Sequence, residues 1–142
     1  MPISEEEKSA ALSRVPLFEG VSEESMTRLS AVTGEVEFGA RQFIVTQGQV
    51  GSGLYIIVSG AARVVSGSHE LARFGPGDFF GELAVIDQQP RVASVQAVEN
   101  TVCLALASWD LLELLKHDPT LSQNLIRGLA ARLRSTSEHH RH

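Results

Sequence analysis

The sequence predicts a mainly β domain with flanking helices (α+β), built as a small barrel or jelly roll. Three observations carry this. Ten of the twelve glycines fall between Gly34 and Gly81, about one third of the chain. Short apolar pieces alternate with those glycines: GEVEF, RQFIVTQG, GLYIIVSG, ARVVSG and ELARFGPGD. Both ends of the chain instead carry helix starts and apolar residues at helical spacing. Glycine permits tight turns at positive φ, so the middle reads as short strands with sharp corners, the pattern of a closed or rolled sheet.

Taken in order, Ser4–Val15 predicts a helix rich in Glu and Ala, ended by Pro16-Leu17-Phe18. Ser22 is placed to cap a second helix, with Glu23 and Glu24 in its first turn and Met26, Leu29 and Val32 at helical spacing. The glycine-punctuated strands follow, and Val92–Val98 and Thr101–Ala107 predict two more. Ser108 can cap a helix that buries Leu111, Leu112, Leu114 and Leu115. Asp118-Pro119 then starts the last helix, with Asp as N-cap and Pro at the first helical position. Leu121, Leu125, Leu129 and Leu133 place an apolar stripe on roughly 17–18 residues of it, about 26 Å at the helical rise. The expected organisation is one domain, 1–142. It has a helical piece (1–33), a β-roll (34–107), hinge and lid helices (108–137) and a tail (138–142).

Composition excludes several classes of function. Lys and Arg number 12 against 17 Asp and Glu, a net charge of −5, which suits neither general nucleic-acid binding nor an anionic membrane surface. The single cysteine, Cys103, between Val102 and Leu104, excludes a disulfide framework and reads as a packed thiol. No apolar run approaches the ~20 residues of a membrane span. The start MPISEEEKS has no apolar core, so a cytoplasmic location is the default. The tail EHHRH holds three of the five histidines and is expected to be disordered rather than metal-binding. Outside it only His69 and His117 exist, too few and too far apart for a metal enzyme built inside the roll, and no Ser-His-Asp or Cys-His arrangement stands out. The expectation is a binding domain, not an enzyme.

One segment breaks the strand pattern: residues 79–95, beginning Phe79-Phe80-Gly81-Glu82-Leu83-Ala84 and carrying Arg91-Val92-Ala93 after Pro90. Glycine followed by one or two helical turns offers free N–H groups to an anion, and an Arg folding back would complete a phosphate site. On spacing alone, a connecting helix with a surface Arg fits equally well.

The wording of FGELAVIDQQPRVASV closely resembles the phosphate-binding cassette of cyclic nucleotide-binding domains. The likeness extends to PLFEGVSEESMTRL, to GLYIIVSGAARV and to the two C-terminal helices, most nearly in the pattern of the regulatory domains of bacterial cyclic nucleotide-gated potassium channels. The resemblance implies an eight-stranded β-roll (a double-stranded β-helix, or jelly roll) with N-terminal helices and C-terminal hinge and lid helices. It implies that Gly81 and the amides of Leu83 and Ala84 bind a cyclic phosphate, that Arg91 pairs with its exocyclic oxygens, and that Glu82 accepts from the ribose 2′-hydroxyl. Glu82 as a plain helix-start charge is the alternative.

Val92, Ala93, Val64 and, on the lid helix, Arg132 are the expected contacts around the base. Core packing explains Val64 equally well, and a solvated position suits Arg132, like Arg127 and Arg134, equally well. Family members that prefer cyclic GMP commonly carry Thr where Val92 stands. Valine lacks that hydroxyl, which leans toward cyclic AMP over cyclic GMP and leaves dual binding open.

No cofactor beyond that ligand is implied. The expected role is a sensor, either a stand-alone binding protein or the regulatory part of a larger membrane or signalling protein, with no nucleic-acid partner and no membrane insertion. A catabolite-activator-type regulator would need a helix-turn-helix for which these 142 residues leave no room, so the alternatives are a fragment of such a regulator lacking that element and a related roll holding another small ligand. The single Cys speaks against a redox or haem sensor. The sequence sets no oligomeric state: the leucine edge of the last helix suits the roll or a second copy.

Overall fold

The computed structural model describes residues 3–46, 48, 53–81 and 93–140, with 135–140 as backbone only. Among these, eight strands form two four-stranded antiparallel sheets. The strands are β1 (Gly34–Phe38), β2 (Phe43–Val45), β3 (Gly53–Ser59), β4 (Ala62–Ser66), β5 (His69–Phe74), β6 (Phe79–Phe80), β7 (Ser94–Ala97) and β8 (Thr101–Ala107). One sheet runs β1-β8-β3-β6 and the other β2-β7-β4-β5. Helices α1 (Glu5–Ser13) and α2 (Glu23–Val32) precede the roll, with a 3-10 turn at Pro16–Phe18 between them; α3 (Ser108–His117) and α4 (Pro119–His140) follow it.

The sheets divide the core in two. Between them lie Ile44, Val45, Ile57, Ala62, Phe80, Val95, Ala97 and Cys103. On the outer face of the first sheet, Leu54, Ile56, Phe79, Leu104 and Leu106 meet Leu12, Leu17, Leu29, Leu111, Leu121 and Leu125 from the helices. Strands β3 and β8 are thus covered on both faces, which is why GLYIIVS and TVCLALA are almost unbroken apolar runs. Edge strand β5 is the opposite case: it is largely exposed and carries the surface pair Glu70–Arg73. Burial pushes the Cys103 thiol up to about 12, so it packs and stays unionised at neutral pH.

The N-terminal elements follow local rules. Ser4 and Glu7 form a reciprocal capping box on α1. Val15, held extended before Pro16, ends the helical run, and the proline opens a 3-10 turn instead of a simple break. Ser22 caps α2 through the Ser25 N–H.

Two expectations are corrected, the cap of α3 and the end of α4, and packing decides the exposure of Val32 and Leu133. Val32 is 41 % exposed, because α2 buries the Ser25–Leu29 face and its last turn lies beyond it. Ala107, not Ser108, is the N-cap of α3, without a side-chain bond, since β8 runs directly into the helix. Leu133 is 68 % exposed: the buried stripe of α4 is Leu121 and Leu125 with Leu129 partly covered, and it ends there. The helix itself continues to His140, past the expected end near 137, because residues 129–140 contain no Gly or Pro to stop it.

Asp118 caps α4 and ties it to the start of α2. Its Oδ1 accepts from the N–H groups of Thr120 (3.1 Å) and Leu121 (3.3 Å) at the start of α4. Its Oδ2 accepts from Ser25 Oγ (2.7 Å), Ser22 N–H (3.4 Å) and Ser22 Oγ (3.4 Å) at the start of α2. The Ser25 hydroxyl, then the backbone donors, hold this carboxyl below the usual aspartate range. A depressed folded pKa contributes stability that is present above the unfolded value and is lost as pH falls through the folded one. Asp118→Ala should therefore cost about 2 kcal/mol at pH 7, a lost cap plus an orphaned hydroxyl, with the difference from wild type shrinking below about pH 4. Urea unfolding at both pH values checks this; an equal cost at each would show that charge plays no part.

Candidate functional site

The site begins at a turn built by Gly75-Pro76-Gly77-Asp78. Asp78 N–H donates to Gly75 O (3.0 Å), Asp78 Oδ2 accepts from Gly75 N–H (2.8 Å), and Gly77 sits at φ +92°, as a Pro-Gly turn requires. Gly77 N–H donates to Ile57 O (2.8 Å) and Ile57 N–H to Asp78 O (2.9 Å), which delivers the chain onto β3 as strand β6. There Phe80 pairs with Tyr55 and Phe79 with Ile56. The two phenylalanines bury opposite ways, Phe79 into the helix-covered core and Phe80 between the sheets.

Gly81 follows at φ +96°, in the left-handed region that glycine adopts freely. The residue expected to turn the chain toward a ligand thus has the backbone for it. Glu82, Leu83, Ala84, Arg91 and Val92 lie outside the described residues. The chain is described again at Ala93, half-buried, and then enters β7, held between β2 and β4. Strand β6 before residue 82 and strand β7 after Ala93 thus belong to different sheets.

Val64 faces Val95 across the β4–β7 ladder and packs half-buried against the inner core. Both readings of it survive: its partners are core residues, and they lie on the strand that leaves the cassette.

Arg132 is neither solvated nor idle. Its guanidinium lies 4.4 Å from the Phe79 ring centroid and 5.2 Å from that of Phe74, and its Nη2 donates to the Phe79 carbonyl. Arg127 and Arg134 on the same helix are exposed. Gly128, one helical turn before Arg132, faces the same ring: a Cβ there would sit 3.3 Å from Phe79 Cζ. This glycine marks close approach of α4 to the roll.

The aromatic row behind this contact was not legible in the sequence. Phe74 stacks on Phe80 (5.6 Å, 9°), Phe80 on Tyr55 (5.6 Å, 17°), and Phe38 meets Tyr55 edge-on (6.3 Å, 72°). The four rings come from four strands, β1, β3, β5 and β6, and no spacing along the chain announces them. Their effect is to stiffen the inner wall next to Gly81, since stacked and edge-on pairs add to plain area burial.

With this geometry in view, the comparisons with known proteins fall into place. The family model described as "Cyclic nucleotide-binding domain" matches residues 35–118, from β1 to the start of α4. The chain is 37% identical over 124 residues to the cyclic AMP receptor protein of Thermus thermophilus, covering 84% of this chain and 57% of that protein. It is 30% identical over 131 residues to a CRP-like cAMP-activated global transcriptional regulator of Mycobacterium tuberculosis, covering 89% of this chain and 58% of the relative. The chain thus spans a little over half the length of these curated relatives.

Among solved structures, the N-terminal domain of a transcriptional regulator from Streptomyces coelicolor superposes with a TM-score of 0.71 at 31% identity, over 91% of this chain and 94% of the other. The regulatory domain of Toxoplasma gondii PKA, solved with cAMP, superposes at 0.80 but 24% identity, over 90% and 50%, and so attests the fold alone. A two-sheet roll of eight strands, a left-handed glycine at the mouth of the cassette and a family match over more than half the chain agree: the chain belongs to the cyclic nucleotide-binding domain family.

Proposed function

We propose that this domain is a cyclic AMP sensor that binds the nucleotide without hydrolysing it. The observation that carries the reading is family membership together with the intact cassette FGELAVIDQQPRVASV on this chain. In this reading the amides of Leu83 and Ala84 and the Arg91 fork hold the cyclic phosphate, while Glu82 takes the ribose hydroxyl. Val92 leaves guanine's amino group without a hydroxyl partner, a deficit of about 1–3 kcal/mol against cyclic GMP. The relatives named for cyclic AMP support the same preference.

Signal output follows from linkage: the ligand shifts α3 and α4 only by as much as it prefers one arrangement over another. The listener is a larger signalling protein. The regulator relatives favour a DNA-binding one, a second reading beside the channel-type regulatory domain.

Isothermal titration calorimetry of nucleotide-free protein tests the binding claim. One site per chain is expected, with cyclic AMP tighter than cyclic GMP by roughly fivefold to a hundredfold. Equal or tighter cyclic GMP would discard the Val92 argument. No binding of either nucleotide to folded protein would discard the sensor.

A further inference from the structure

Helix α4 is held in two different ways along its length. Its first half is locked into the helical core. Asp118 caps it, Leu121 and Leu125 are fully buried, Ser122 Oγ donates to Leu115 O (2.9 Å), and Asn124 Nδ2 donates to the carbonyls of Leu17 (2.9 Å) and Glu19 (2.8 Å). From Leu129 onward the burial fades and Leu133 is exposed. Past the partly covered Leu129, Arg132 ties this second half to the roll among the described side chains. Its guanidinium covers Phe79 and Phe74 and donates to the Phe79 carbonyl, with Gly128 making room for the Phe79 ring.

The grip falls on a particular place. Phe79 lies two residues before Gly81, where the cassette begins, and Phe74 stacks on Phe80 in the same stem. One side chain therefore bears directly on the outer phenylalanine, Phe79, and through Phe74 on the inner one, Phe80. A guanidinium fits this task because it can lie on an aromatic face and still donate in its own plane, which a lysine does less well.

We propose that Arg132 is a positioning residue that latches the C-terminal half of α4 to the Phe79–Gly81 stem, so that a shift of the cassette is transmitted to the helix through this side chain. The role does not require Arg132 to touch the base. The transmission part rests on the cyclic nucleotide reading above; the latch itself does not.

Amide hydrogen exchange on the whole chain tests both parts, in the nucleotide-free protein and at saturating cyclic AMP, for wild type, Arg132→Gln and Arg132→Lys. In the nucleotide-free state Arg132→Gln should speed exchange over residues 129–134 by roughly tenfold and leave 119–125 unchanged, because only the second half opens locally. Arg132→Lys should restore part of the protection. On adding cyclic AMP, wild type should show a change in exchange over 129–134 that Arg132→Gln, still binding the nucleotide, largely lacks.

Unchanged protection in nucleotide-free Arg132→Gln, or loss spread equally over 119–125, would overturn the latch. A full ligand-induced change in Arg132→Gln would overturn the transmission. If wild type bound no cyclic nucleotide, the sensor reading and the transmission would fall together, and the nucleotide-free comparison would still decide the latch.

Discussion

Replacing Arg91 by alanine should weaken cyclic AMP binding by about 2–5 kcal/mol, roughly thirtyfold to several thousandfold in affinity. The magnitude comes from what is left behind. A cyclic phosphate pressed against backbone amides has given up much of its water, and without the guanidinium its charge has no ionic partner there. Arg91→Lys should fall between the two, since an ammonium supplies charge but not the planar fork that meets two phosphate oxygens. Calorimetry on variants whose thermal melts match wild type gives the answer. Undiminished affinity in Arg91→Ala would remove the cassette assignment, because no other residue is asked to neutralise the phosphate.

Gly60→Ala should be the most damaging small substitution in the roll, costing about 3 kcal/mol or more, or roughly 10 °C in melting temperature. Gly60 turns the chain from β3 to β4 at φ +94°. A Cβ there would lie 2.5 Å from Asn100 O, 2.6 Å from Thr101 Oγ1 and 2.7 Å from Thr101 Cα. None of these can retreat. Thr101 is buried at the head of β8, and its hydroxyl accepts from Ala61 N–H (3.3 Å) and lies 3.0 and 2.8 Å from the carbonyls of Ala61 and Glu99. The turn β3–β4 is thus keyed into the turn before β8.

Gly67→Ala is the control: it has φ +60° but nothing within 4 Å of the added carbon, so it should cost only the ~1–2 kcal/mol of a left-handed alanine. If the two variants melted alike, steric keying would not be what Gly60 provides.

Much of the fold was written locally. The caps Ser22 and Asp118, the break at Pro16, and the glycine corners act within a few residues, so spacing reveals them. The Thr101–Ala107 strand has the predicted bounds because it is an apolar run closed by turns on one side and a helix on the other. Of the predicted Val92–Val98 strand, Ser94–Ala97 pairs with β2 and β4 among the described residues. Val32 and Leu133 are exposed for a shared reason: periodicity says which face a helix offers, not how far along its length the protein extends to cover it.

Of the candidate site, the sequence named the cassette residues through their wording and offered Arg132 as a contact of the base; Gly128 lies one helical turn before it. Both turn out to face Phe79, fifty residues away in the chain, and that pairing required the roll to be closed first.

By itself, then, the sequence determined the class of fold, the starts of α2 and α4, the glycine corners and the wording of the cassette, because each is a property of neighbouring residues or of one contiguous phrase. Tertiary structure alone decided that Asp118 joins two helices, that four rings from four strands line up behind Gly81, and that Arg132 lies on Phe74 and Phe79. These depend on sheet register and helix packing, which bring distant residues within a few ångströms, and no local pattern encodes those distances.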